Sequence, residues 1–188
     1  MGLPLPEYIE VRHKFLTVSP KLTIRNADQV DLYRIECPSL RLNKHAFIFR
    51  AASGGELALR ISPVAGLTRD LKVSLSDNEI VGVIQKEMSE KTRRSVWTAI
   101  SSGGDRQFFV MPEGSAAHRL KTRLALFSSL VDNIYYKDKC VGSFITQAGF
   151  LHEKYIVNID EPVLDASDQC LLLGLIVALT GIMNRVFT

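Results

Sequence analysis

The sequence predicts a mainly β domain, a sandwich or a barrel, whose strands enclose a helix near the C-terminus. Three observations support this prediction: apolar and polar residues alternate with period two, turn residues recur along the chain, and the last part is an uninterrupted apolar stretch. The 188 residues, 46% of them hydrophobic and 23% charged, have the composition of an ordinary globular protein. We therefore expect one domain spanning residues 1–188.

Short alternating segments follow one another along most of the chain. Residues 8–15 alternate between polar and apolar side chains, which is typical of a half-buried strand. Residues 22–24 and 33–35 flank the turn residues 26–28 and so predict a hairpin. The other predicted strands are 40–49, 57–61, 71–75, 80–84, 96–100, 108–111, 122–127, 134–136, 141–145 and 155–159.

A weak internal repeat links three of these hairpins. Residues 22–35, 71–84 and 134–145 each read as strand, polar turn, strand, and the two later copies carry Gly82 and Gly142 soon after the turn. The copies are unevenly spaced, which excludes a solenoid and favours repeated hairpins in one closed sheet. The polar residues 111–118 are expected to separate two halves of this single domain.

The chain ends in a segment that is apolar on every side of a helix. Asp165 and Asp168 offer an N-cap and negative charge for a first turn, so the predicted helix spans about residues 166–184. Its predicted core residues are Leu171, Leu172, Leu175, Ile176, Leu179 and Ile182. Gly174 and Gly181 lie seven residues apart on one face, where a wall of strands can approach closely.

The length of this segment decides what surrounds it. Residues 170–183 would form a helix about 21 Å long, whereas the hydrocarbon core of a bilayer needs about 30 Å. We therefore expect the chain's own strands to enclose the helix. The alternative is a membrane tail anchor, with Arg185 reaching back to the lipid headgroups.

Charge and cysteine content restrict the classes of function. The net charge is only +3, which argues against a nucleic-acid partner. Residues 1–149 carry 21 Lys and Arg against 15 Asp and Glu, a mild excess that suits an anionic membrane surface. The three cysteines form no CxxC pair and the N-terminus lacks the signal-peptide pattern, so we expect a cytoplasmic protein.

The sequence offers no recognisable catalytic motif. It contains no P-loop, no dinucleotide-binding glycine loop, no nucleophile elbow and no HExxH pair. The four histidines are isolated from one another. We therefore expect neither enzymatic activity nor a cofactor.

Both ends of the chain resemble known families. Residues 8–19 (YIEVRHKFLTVS), 22–28 (LTIRNAD) and 33–35 (YRI) resemble the opening of LURP-one-related proteins. Residues 155–159 (YIVNI) and 171–176 (LLLGLI) resemble the end of phospholipid scramblases. The two families share the Tubby C-terminal fold, so the resemblance implies a closed antiparallel β-barrel of about twelve strands around a hydrophobic C-terminal helix.

The resemblance also implies a function. It suggests a non-enzymatic module that binds phospholipid at a membrane surface, with the protein peripheral to the membrane. The alternative is a protein-interaction or scaffold domain that binds a protein partner and has no lipid role. The chain lacks the Pro-rich region and the cysteine cluster of the scramblases.

Two groups of three basic residues are the candidate ligands for lipid phosphate. They are Lys91, Arg93 and Arg94, in a predicted loop, and Arg119, Lys121 and Arg123, on one face of a predicted strand. Near an anionic surface, each Lys or Arg contributes about 1 kcal/mol. A solubilising protein surface is the alternative interpretation.

Scramblases carry an acidic segment before the last helix, which is proposed to bind calcium. The corresponding residues here include Asp160, Glu161 and Asp165. Calcium takes about six to eight oxygen ligands, usually from one dense loop. Because these acids are spread over a strand end and a helix cap, we predict no metal site.

Overall fold

The computed structural model describes residues 6–14, 21–36, 47–52, 54, 57–64, 70–75, 79–89, 94–114, 129–148, 153–160 and 165–180. The strands are β1 (Tyr8–Lys14), β2 (Lys21–Arg25), β3 (Asp31–Glu36), β4 (Phe47–Ala51), β5 (Leu57–Pro63), β6 (Leu71–Ser74), β7 (Ile80–Ser89), β8 (Arg94–Ser101), β9 (Arg106–Pro112), β10 (Ser129–Tyr136), β11 (Lys139–Ala148) and β12 (Glu153–Ile159). A helix, α1 (Ala166–Leu179), follows β12.

The twelve strands form a closed barrel. Each strand pairs antiparallel with the next strand along the chain, and β12 pairs with β1 to close the sheet. The predicted fold class is therefore confirmed. The hairpins that begin with β2, β4, β6, β8 and β10 all turn at one end of the barrel, which we call the turn end. The predicted strand 122–127 and residues 115–118 of the predicted boundary lie outside the described residues.

Several strands are longer than the sequence predicts. Strand β7 runs to Ser89 rather than residue 84, because its polar second half pairs in full with β8. Arg94, predicted to lie in a loop, is instead the first residue of β8 and pairs in register with Ser89. Backbone pairing holds these residues in the ladder where side-chain alternation gives no signal.

A β-bulge follows each turn at the turn end. The extra residues are Leu32, Ala58, Val81, Gln107 and Val141. The carbonyl of Val81 accepts the backbone N–H of Ser102 at 2.9 Å, and that of Val141 accepts the N–H of Asp160 at 2.8 Å. Such bulges increase strand twist, which a closing sheet requires.

The glycines of the internal repeat lie directly after two of these bulges. A Cβ on Gly82 would collide with the carbonyl oxygen of Ile100, and a Cβ on Gly142 would collide with that of Asn158. The neighbouring backbone therefore comes too close for any side chain. This close approach gives a physical reason for glycine in both copies.

Helix α1 fills the interior of the barrel. Every residue from Cys170 to Ala178 is buried. This range includes four of the predicted core residues: Leu171, Leu172, Leu175 and Ile176. Leu179, also a predicted core residue, is partly buried and packs against the core. The enclosed helix is thus confirmed, and the tail-anchor alternative is wrong for Ala166–Leu179. Within the described part of the chain, no helix has the length and apolar character needed to span a membrane.

The two ends of α1 are fixed by side chains. Asp165 is the N-cap, as predicted, and its carboxylate accepts the backbone N–H of Asp168 at 2.7 Å. The helix ends at Leu179 rather than near residue 184, and Thr180 is its C-cap. The Thr180 hydroxyl donates to the Val177 carbonyl at 2.7 Å, and the Tyr155 hydroxyl donates to the Thr180 carbonyl at 2.6 Å. These bonds satisfy carbonyls that a longer helix would have used; Ile182 and Gly181 lie outside the described residues.

The helix lies off the centre of the barrel. Its backbone is closest to β6–β9, which we call the near wall; the other strands form the far wall. A Cβ on Gly174 would lie only 2.8 Å from Cδ1 of Ile84 and 2.9 Å from Cγ2 of Val73, so glycine permits this approach. Across the wider gap, the far wall contributes large buried side chains, including those of Phe49 and Phe144.

Candidate functional site

The buried polar groups of the barrel interior serve the ends of α1. The Tyr136 hydroxyl donates to the Asp168 carboxylate at 2.6 Å. Burial raises the pKa of Tyr136, and this hydrogen bond to Asp168 raises it further. Burial, followed by the nearby charge of Asp165, raises the pKa of Cys170 to about 11. A thiol with this pKa stays protonated near neutral pH and is a poor nucleophile. The helix and inward side chains thus occupy the interior, and a ligand surface is best sought outside.

The acidic residues compared with a calcium segment do not come together as a metal site. Asp165 caps the helix, Asp160 is exposed directly after β12, and Glu161 lies outside the described residues. Among the residues that the structure describes, no three His, Cys, Asp or Glu side chains are grouped as metal ligands.

The candidate phosphate ligands from the sequence fall almost entirely outside the described residues. Lys91, Arg93, Arg119, Lys121 and Arg123 lie outside the described residues, as does the side chain of Arg94. The last residues of β7 and β9 and the first residues of β8 and β10 lie at the end of the barrel opposite the turn end. The C-terminal end of α1 lies at this same end, because Tyr155 near the start of β12 binds Thr180.

Strand register assembles a second set of cations that lies on the outer surface of the far wall. One row crosses β12, β1, β2, β3 and β4 through the register partners Lys154, Arg12, Thr23, Arg34 and Arg50. Four of these five positions are Lys or Arg. In the next strand, Arg60 is the register partner of Ile48 and is therefore diagonal to Arg50. We call Arg34, Arg50 and Arg60 the arginine cluster.

Beside the cluster, two basic residues of the far wall, Lys154 and Arg25, are paired with carboxylates. Lys154 Nζ lies 2.7 Å from Oε2 of Glu10, a carboxylate that is fully buried and also accepts the Tyr8 hydroxyl at 3.2 Å. Arg25 Nε lies 2.6 Å from Oδ1 of Asp31. A buried carboxylate needs such a partner, because an isolated buried charge is strongly unfavourable.

The arginine cluster is more open than its neighbours. Arg34 and Arg60 are exposed, and neither forms a salt bridge with another residue in the described ranges. Arg50 is half-buried and has an interaction within the chain. Arg34 and Arg50 are direct register partners, an arrangement in which like charges destabilise a sheet.

The near wall has a different outer surface. The outward positions described on β7 and β8 carry Val83, Gln85, Glu87, Val96, Thr98 and Ile100. Glu87 is the charged residue among them. Elsewhere on the near wall, Lys72 on β6 and Arg106 on β9 pair with the outward residues Val83 and Ile100, so the contrast in charge with the arginine cluster is confined to β7 and β8.

Sequence reasoning missed the arginine cluster. Arg34, Arg50 and Arg60 are 16 and 10 residues apart, so no local motif connects them. A signal was present, because each arginine directly follows a buried apolar residue of a predicted strand: Tyr33, Phe49 and Leu59. Only the register shows that the three positions adjoin.

Comparison with known proteins supports the fold. No family model and no curated protein matches the sequence. The X-ray structure of a protein from Arabidopsis thaliana, AT5G01750, matches with a TM-score of 0.54, 11% sequence identity, and coverage of 95% of this chain and 94% of that chain. At this identity the likeness shows a shared fold.

Proposed function

We propose that this protein is a non-enzymatic module that binds anionic phospholipid at a membrane surface. The observation that carries the proposal is the arginine cluster of Arg34, Arg50 and Arg60. The arginine cluster lies on the outer surface of the far wall, whereas the described outward positions of β7 and β8 carry no Lys or Arg. A surface of this kind gains about 1 kcal/mol for each basic residue near anionic lipid, within a Debye length of about 10 Å.

The filled interior supports binding at the outer surface. Helix α1 occupies the space in which a larger barrel holds a ligand, and its residues from Cys170 to Ala178 are buried. A lipid headgroup in contact with the outer wall needs no such space. The resemblance to LURP-one-related proteins and scramblases agrees with this role.

A protein-interaction or scaffold role without lipid is the second candidate. The same filled interior favours it, because a scaffold also needs no internal cavity. The two candidates differ in what the cations contact. A lipid module binds anionic vesicles in the absence of any other protein, and a scaffold does not.

The test is co-sedimentation of the purified full chain with vesicles. We expect binding to vesicles of phosphatidylcholine and phosphatidylserine at low salt, weaker binding at high salt, and little binding to phosphatidylcholine alone. Equal binding to both vesicle types, or none to the anionic vesicles at low salt, would contradict the proposal and favour the scaffold role.

A further inference from the structure

We infer that the outer surface of β10, β11 and β12 is a docking site for an amphipathic helix of a protein partner. The site centres on three aliphatic side chains in one row across these strands: Val131, Ile145 and Ile156. Val131 is the register partner of Ile145, and Ile145 is the register partner of Ile156. We call the three residues the apolar row. The site is separate from the arginine cluster and does not depend on lipid binding.

The apolar row faces away from the core. Phe144, Tyr155 and Val157 are buried in the core, so Ile145 and Ile156, their neighbours along the strands, point outward. Val131 shares this side, because residues directly opposite each other in a ladder lie on one face. All three side chains are half-buried. The one helix among the described residues, α1, packs on the inner side of the wall and does not cover the row.

Polar rows border the apolar row on both sides. In one direction along the strands, the next register partners are Asn133, Ser143 and Asn158. In the other direction they are Ser129, Gln147 and Lys154. Lys154 Nζ lies 2.7 Å from Oε2 of Glu10, which neutralises its charge. An apolar centre that is depleted of charge and has a polar rim is typical of protein–protein interfaces.

The position of this face leaves the arginine cluster accessible. Strands β6–β9 separate β10–β12 from β3–β5 in one direction around the barrel, and β1 and β2 separate them in the other. A partner on the apolar row and a membrane on the arginine cluster would therefore contact different sides of the barrel.

The spacing of the row fits a helix that crosses the strands. Neighbouring strands lie about 4.7–4.9 Å apart, so the row spans about 10 Å from Val131 to Ile156. A helix rises about 1.5 Å per residue, so apolar residues at positions i, i+4 and i+7 span about 10.5 Å on one face. A partner strand could not be added instead, because β12 pairs with β1 and the closed sheet has no edge here.

A carboxylate at one end of the row determines the charge of the partner. The backbone N–H of Glu113 donates to the Val131 carbonyl at 3.2 Å, so Glu113, which follows β9, continues the row. Glu113 is exposed and forms no salt bridge with another described residue. A cavity of about 330 Å³ is lined by Glu113, Gly114, Ser129, Leu130 and Val131. A Lys or Arg one turn outside the apolar positions of the helix would place its cation at Glu113 and its aliphatic stem in the cavity.

The test selects helices from a phage-displayed library against the purified full chain. Each library peptide has about 18 residues, since shorter helices are marginal in water, with Leu fixed at i, i+4 and i+7 and the remaining positions randomised. Enriched helices are then measured as free peptides against the wild type, Ile145→Lys and Val83→Lys. Val83 is the control, because it is also half-buried and outward but lies on β7.

We expect Ile145→Lys to weaken peptide binding by at least about tenfold, because it places an unpaired charge at the centre of the contact. Val83→Lys should change the affinity by less than about twofold. No enriched helix, or equal weakening by the two substitutions, would overturn the docking site.

The charge of the partner is tested by a double substitution. We expect Lys or Arg to exceed Asp and Glu one turn outside the leucines of the enriched helices, and Glu113→Gln to weaken binding of these helices about threefold. Replacing the peptide cation by Gln should abolish the effect of Glu113→Gln. An equal effect on both peptides would contradict the role of Glu113.

Two other occupants of the face would give different results. Wild-type dimers that dissociate in Ile145→Lys would assign the face to a second copy of the chain, and loss of vesicle binding in Ile145→Lys would assign it to lipid. Either result would overturn helix docking. Thermal unfolding checks that both variants fold. If Ile145→Lys unfolds earlier than the wild type, Ile145→Thr takes its place, and unchanged peptide binding by Ile145→Thr would overturn the site.

Discussion

The near wall and the far wall contact the same helix in opposite ways. On its two closest strands, β7 and β8, the near wall carries the small buried residues Gly82 and Ala99, and Gly174 of the helix lies against Ile84 and Val73. The far wall stays farther away and fills the gap with large side chains such as Phe49. The difference teaches that a helix in a twelve-stranded barrel need not lie on its axis: small residues decide which wall it meets.

This comparison predicts that the far wall is most sensitive to lost volume. Phe49 is fully buried, and we expect Phe49→Ala to lower the free energy of unfolding by about 3–5 kcal/mol, because it leaves a cavity beside α1. Urea denaturation of both proteins gives the value. Val30→Ala, at a side chain that is 54% exposed, is the control and should change stability by less than about 0.5 kcal/mol. A loss below about 1 kcal/mol for Phe49→Ala would show that the far wall closes onto the helix.

The near wall should instead be sensitive to added volume. In Gly82→Ala the new Cβ meets the Ile100 carbonyl and lies 2.8 Å from Cδ2 of Leu171, so backbone and helix must shift. We expect a loss of about 1–3 kcal/mol, again by denaturation. Gly103→Ala is the matched control, since its nearest contact is an ordinary 3.7 Å to Oγ of Ser101. Equal effects of the two substitutions would contradict the close approach.

The smallest expected effect is a gain in stability, and it comes from a substitution on the outer surface of the far wall. Arg34→Thr removes one of two opposed like charges and should raise the free energy of unfolding by about 0.2–1 kcal/mol in low-salt buffer free of phosphate. High salt should reduce the gain by screening. Arg106→Thr removes an arginine whose guanidinium is 2.8 Å from Asp138, so it should not stabilise the protein. A destabilised Arg34→Thr variant would show that Arg34 itself has a stabilising contact within the chain that outweighs its repulsion with Arg50.

The elements of the fold that depend on local chemistry could be predicted from the sequence. Period-two alternation identified most strands, and Asp165 was identified as a cap because a carboxylate before an apolar run satisfies free backbone N–H groups. The length of the apolar segment was enough to predict that the helix lies inside the protein. The boundary errors at Ser89 and Leu179 arose where ladder pairing and tertiary caps, rather than side-chain pattern, set the limits.

The candidate site depended on information that the sequence does not hold locally. The sequence groups basic residues by proximity along the chain, which is why residues 91–94 and 119–123 were selected. The cluster of Arg34, Arg50 and Arg60 exists only through pairing of β3, β4 and β5, together with a bulge that shifts the last register by one residue. A one-residue slip would turn these side chains to the other face.

The seam between β1 and β12 has a consequence for the order of synthesis. The first strand made must wait for the last strand before the barrel can close, and α1, which fills the lumen, leaves the ribosome later still. Until then, apolar residues along all twelve strands have no helix to cover them. A barrel of this topology therefore closes only after its last strand and its helix have been made, and during that interval the earlier strands need protection from aggregation.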